Sequence, residues 1–129
     1  MTPNYAIYRR SYLECQKIGK TFDYLPDAQE HYPFIYIGKA PTSGENETKD
    51  LTGVATQTIK VFATRTQSSE ADEMVARLRN ALLVQGKAFE YRLSRSSVEI
   101  TPMDADAGSD RVTQYIIRYE TRYTKERNK

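Results

Sequence analysis

A chain of 129 residues has room for one hydrophobic core, so a single domain over residues 1–129 is expected and a second independent one is excluded. Hydrophobic residues at 39% with 28% charged mark a chain that folds in water, and a net charge of +2, from 19 basic and 17 acidic residues, is too nearly balanced for phosphate neutralisation to be the default mode of action. One cysteine, Cys15, and one histidine, His31, exclude an internal disulfide and a zinc site built within the chain.

Near the N-terminus, Tyr5, Tyr8, Tyr12 and Cys15 recur at spacings of three, four and three, which places them on one stripe of a helix predicted over 4–17. Pro3 suits its first turn and Gly19 its stop. Residues 21–25 read as a short strand ended by Pro26-Asp27. Residues 32–39 read as a strand with almost no polar interruption, so both of its faces must be covered. The stretch 40–50 is polar, punctuated by Gly and Pro, and too long for a tight turn, which makes 40–53 a long exposed loop.

From 54 to 66 β-branched residues alternate, with Ile59, Val61 and Ala63 on one face and Thr58, Lys60, Phe62 and Thr64 on the other. Ser68-Ser69 supplies an N-cap and Glu70, Asp72 and Glu73 an acidic first turn. Ala71, Met74, Val75, Leu78, Ala81 and Leu82 then hold helical spacing as far as Gly86. The rest predicts strands at 89–93 and 97–101, a turn-rich break over 102–110, and a long strand over 111–124. In that strand Tyr115, Ile117, Tyr119 and Tyr123 face one way. Residues 125–129 read as a frayed tail. Two amphipathic helices on one face of a largely antiparallel sheet would bury all these stripes, an α+β fold.

The longest apolar run, Phe34-Ile35-Tyr36-Ile37, is far below the ~20 residues that cross a bilayer. Residues 1–5 lack a basic-then-apolar signal pattern, so synthesis and use in a cytoplasm are expected. Catalysis is not: His31 has no patterned nucleophile, Cys15 sits on the tyrosine stripe as a small hydrophobe, and neither a Walker-type nor a GxGxxG phosphate cradle occurs. Residues 103–110 resemble a calcium loop only superficially, because counting from Asp104 the sixth position is Ser109 and the twelfth Tyr115, where glycine and glutamate are needed. Basic residues interleave with aromatics at 91–95 and 118–123, and the segment 85–129 holds nine basic against seven acidic residues. That texture makes a nucleic-acid-binding accessory protein, working through its C-terminal third, the alternative reading. In 118–123, however, arginines and tyrosines alternate onto opposite faces, which core tyrosines behind a charged surface explain.

The N-terminal helix, the segment Phe22-Asp23-Tyr24-Leu25-Pro26 leading to Tyr32-Pro33-Phe34-Ile35-Tyr36-Ile37-Gly38, and the long polar loop together form a distinctive order. It continues with Gln57-Thr58-Ile59-Lys60-Val61-Phe62-Ala63, the helix opened by Ser68-Ser69-Glu70, and Gln114-Tyr115-Ile116-Ile117-Arg118-Tyr119-Glu120. Over nearly the whole chain this layout resembles the tail-terminator and tail-completion proteins of long-tailed phages and prophages, relatives of which act in head-tail joining. The resemblance implies a structural, non-enzymatic domain that closes into a ring, typically a hexamer, on the head-proximal end of the tail tube. It implies as partners other copies of the chain, the major tail protein and the head-completion or connector protein. It also implies a place in the virion at the head-tail junction after synthesis in the host cytoplasm, with no cofactor, metal or membrane. Loop 40–53 and the break 102–110 then become the expected assembly interface, with Ser43, Glu45, Glu47, Lys49, Asp50, Asp104, Asp106 and Asp110 as its candidate contacts.

Overall fold

The computed structural model describes residues 1–26, 32–38, 51–84, 86–107 and 110–126. Helix α1 spans Pro3–Ile18; Thr2 caps it, its Oγ1 accepting the Tyr5 N–H at 3.2 Å, and Gly19 closes it with its N–H on the Cys15 carbonyl. The tyrosine stripe forms the flank of the buried face, not its centre. Ala6, Ile7, Ser11 and Cys15 are at most 1% exposed, whereas Tyr5 and Tyr12 are half-buried and stack along the helix through Tyr8. Small side chains in the middle let the helix lie close to the sheet.

Six strands follow: β1 Thr21–Phe22, β2 Phe34–Ile37, β3 Thr52–Thr64, β4 Lys87–Ala88, β5 Tyr91–Ala107 and β6 Asp110–Lys125. They form one sheet in the order β1-β2-β3-β6-β5-β4, antiparallel except for the β1–β2 pair. Helix α2, Ser68–Leu83, leaves β3 through a 3-10 turn at Arg65–Gln67. Its N-cap residue is Gln67 and not a serine: the Gln67 side chain accepts the Thr64 N–H at 3.1 Å, so the preceding turn is stapled and Ser68 and Ser69 become the first helical residues. The helix ends at Leu83, three residues before Gly86, because Val84 turns extended.

Both helices cover the same face. Ala71, Met74, Val75, Leu78 and Leu82 of α2 join the α1 residues against Ile35, Ile37, Ile59, Val61, Ile117 and Tyr119 in one continuous core. The register fixes which residues these are. Ile59 pairs with Ile117 and Ile117 with Ile100, so the inward positions of β3, β6 and β5 fall in rows across the sheet. Gly53, paired with Tyr123, leaves room for that ring, whose edge a side chain at 53 would strike.

The C-terminal half differs from the expectation in three places. Residues 89–93 and 97–101 are not two strands: 89 and 90 form the turn before β5, and 91–93 and 97–101 both belong to β5, interrupted by a bulge between Ser94 and Ser97 in which Arg95 takes φ 50°. Of the predicted break over 102–110, residues 102–107 and 110 are strand, and 108–109 lie outside the described residues. β5 continues to Ala107, each residue from Thr101 onward paired with one between Ile116 and Asp110. A ladder asks only for backbone partners, and Pro102 is tolerated because β5 has β6 on one side and, beyond β4, no described strand on the other. Residues 125 and 126 are not frayed: the Lys125 N–H reaches the Leu51 carbonyl, and the Glu126 N–H the Glu90 carbonyl. Likewise Thr52 and Gly53, assigned to the loop from sequence, open β3. Among the described residues no helix is long and apolar enough to cross a membrane.

Candidate assembly surfaces

Of the residues expected to make assembly contacts, Ser43, Glu45, Glu47, Lys49 and Asp50 lie outside the described residues. The three aspartates do come together, but in strands instead of a loop: Asp104 pairs with Thr113, Asp106 with Arg111, and Asp110 with Ala107, all in the last rungs of the β5–β6 hairpin. Asp104 is exposed. Nearby, the Tyr115 hydroxyl donates to Asp72 at 2.7 Å and fastens the hairpin to the beginning of α2. That hydrogen bond, helped by partial burial and the charges of Asp72 and Asp104, pushes the Tyr115 hydroxyl up to about 12.

A second apolar cluster sits on the side of the sheet away from the helices. Phe34 pairs with Phe62 and stacks on it with centroids 5.0 Å apart; Tyr32 stacks at 5.4 Å, and Phe22 meets Phe34 edge-on at 5.7 Å. Phe34 is 1% exposed, outside the core that α1 and α2 cover. This is how the uninterrupted strand is covered on both faces, by Ile35 and Ile37 under the helices and by an aromatic group on the far side. The cluster runs out to the β1 edge, where Tyr24 packs edge-on to Phe22 yet remains 61% exposed, beside Leu25 at 64%.

At the opposite edge, β4 and α1 border an open groove of about 490 Å³ lined by Arg10, Leu13, Lys17, Lys87, Ala88 and Phe89. Phe89 begins the two-residue turn joining β4 to β5, at φ 58° and 47% exposed. Glycine is the residue that takes this conformation without strain, and a bulky side chain there is an outlier. Beside it Val84 is 62% and Leu13 42% exposed. The Arg10 guanidinium is held by donation to the Tyr119 hydroxyl and the Val84 carbonyl, each at 3.0 Å. Glu126 accepts from Lys87 at 2.6 Å and from Arg92 at 3.0 Å, and these two hydrogen bonds hold its carboxyl below the usual glutamate range. Sequence reasoning missed this edge. Its one signal was Phe89-Glu90 between strand residues, where a tight turn would ordinarily use Asn-Gly or Gly.

Three residues weighed for chemistry have clear settings. Cys15 is fully buried, which pushes its thiol up to about 12 and keeps it protonated. Arg118 and Arg122 are exposed on the open face of the sheet, interleaved with Glu120 and opposite Glu99, so the basic surplus of the C-terminal third forms no single-sign patch there.

No protein-family model matches the chain, and no curated protein matches it. A solved structure of the gp17 protein of bacteriophage SPP1 is similar at a TM-score of 0.49 and 17% identity, over 98% of this chain and 93% of that one.

Proposed function

We propose that this chain is a structural protein of a phage or prophage tail, one that closes into a ring on the tail tube, ends its growth and joins it to the head. The observation that carries the reading is the order of elements on which the sequence resemblance rests. An N-terminal helix, a short strand pair, a long central strand, a second helix and a long closing hairpin are built into one sheet with both helices on one face. What surrounds that core supports it. The sheet carries exposed apolar groups at both of its edges, Tyr24 and Leu25 at one, Val84 and Phe89 at the other, and closed rings arise from head-to-tail contacts between unlike surfaces.

Its partners under this reading are other copies of the chain, the major tail protein and the head connector. Its work is done by shape, not by a reactive group. The test is electron microscopy of tails assembled without the protein. Overlong or ragged tubes lacking heads are expected; tubes of normal length attached to heads would contradict the assignment. Deleting residues 43–49 is expected to preserve the fold, read as an unchanged circular dichroism spectrum, and to abolish capping; normal tail lengths from that variant would remove the loop from the interface.

A further inference from the structure

We infer that the groove at the β4 edge receives the Tyr24-Leu25 turn at the β1 edge of a second copy of this chain, a head-to-tail contact between two different surfaces. It deepens the ring reading and rests on it for its biological setting, but the argument for the contact comes from the residues themselves. Tyr24 and Leu25 follow an edge strand and expose 61% and 64% of their surface, so that beyond the edge-on contact of Tyr24 with Phe22 most of their apolar surface is left unburied by their own subunit. At the other edge Leu13, Ala88 and Phe89 line a groove of about 490 Å³, a volume that takes side chains of this size.

Phe89 strengthens the case. A half-exposed phenylalanine at φ 58° satisfies neither the turn, which favours glycine, nor the core, and such a residue points to a role outside the subunit. The charges agree in sign. Among the groove's own lining residues Arg10, Lys17 and Lys87 outnumber Glu14, while Glu126 and Glu90 beside it are engaged by Lys87 and Arg92 and by Lys125 and the N-terminus. The incoming turn belongs to the part of the sequence between Lys20 and Lys39 that holds Asp23, Asp27 and Glu30 and neither lysine nor arginine. Because β1 and β4 are the two outer strands of the sheet, each copy offers one half of the contact at each end, and the chain of contacts can continue until it closes.

The test uses two full-length variants, Leu25→Asp and Phe89→Asp, each at an exposed position; aspartate is among the residues that tolerate a left-handed turn. Circular dichroism and thermal melting check that both fold. In sedimentation velocity over rising concentration the wild-type protein is expected to self-associate and each variant to remain a monomer. An equimolar mixture of the two is expected to form a dimer that grows no further, since each variant keeps one intact half. A symmetric contact through either patch would give no such rescue. The inference is overturned if either variant assembles like the wild type, or if the mixture stays monomeric. Wild-type rings unaffected by both substitutions would sink this contact and leave tail capping standing, whereas normal tails without the protein would sink tail capping and leave the contact standing.

Discussion

The two faces of the sheet are buried by different means. Under the helices an aliphatic core forms from residues two apart on each strand, Ile59 and Val61 on β3 and Ile117 and Tyr119 on β6, all at 0% exposure. On the far face Phe34 is 1% exposed and contacts the rings of Phe22, Tyr32 and Phe62 within the sheet layer, and Arg118 stands opposite Glu99 in register. Aromatic side chains packed within the sheet layer thus contribute to covering a continuous apolar strand on its outer face. Exposed apolar side chains stand at both edges of the sheet, and Val54 and Met103 are exposed along β3 and β5.

Substitutions separate these two modes of burial. Leu78→Ala, which opens a cavity between α2 and the sheet, is expected to cost about 4 kcal/mol in chemical denaturation, because the site is fully enclosed and cannot collapse. Phe34→Ala is expected to cost about 3 kcal/mol, the lower end for a phenylalanine, since the surrounding rings can close over the gap. A cost below about 1 kcal/mol, the level of an average substitution, would mean the aromatic cluster is decoration.

Smaller effects test the ties between the faces and the chain ends. The Tyr115 hydroxyl is raised in the folded protein from its ordinary 10 to about 12, so its hydrogen bond to Asp72 contributes fully below pH 10 and is lost as pH rises toward 12. The difference in melting temperature between wild type and Tyr115→Phe is therefore expected to shrink over that interval; a constant difference would show that the bond does not hold the hairpin to α2. Glu126 shifts the other way. Its carboxyl is lowered by Lys87 and Arg92, so its contribution is present above about pH 4.5 and disappears as pH falls through the folded value. Glu126→Gln is expected to lower the melting temperature slightly at pH 7 and by less as the pH falls below 4.5, and equal lowering across that range would show that the shift has another origin.

The fold was legible wherever burial follows a simple period. The alternation in β3 and β6 and the helical spacing from Ala71 to Leu82 are each dictated by one face meeting one core. It was less legible where backbone pairing alone decides. Residues 102–107 look like a turn, with a proline and two aspartates, yet they extend a ladder because β6 runs alongside and the other side asks nothing of Pro102. The bulge at Arg95 and the turn at Phe89 likewise put residues at positive φ that composition alone would assign to glycine or asparagine. Of the candidate contacts, Asp104, Asp106 and Asp110 stand in the strands β5 and β6 and not in a loop. The apolar edges went unnoticed because nothing in the sequence separates Tyr24, Leu25, Val84 and Phe89 from residues that a sheet buries, and only the strand order places the two groups at its opposite ends.

The most direct measurement is a cryo-electron microscopy reconstruction of the head-proximal end of the assembled tail. The account predicts a closed ring of this chain on the tube, with Leu25 of each copy seated against Phe89 of the next. A finished tube end that lacks the chain, or a ring whose copies meet through other surfaces and leave both edges exposed, would contradict it.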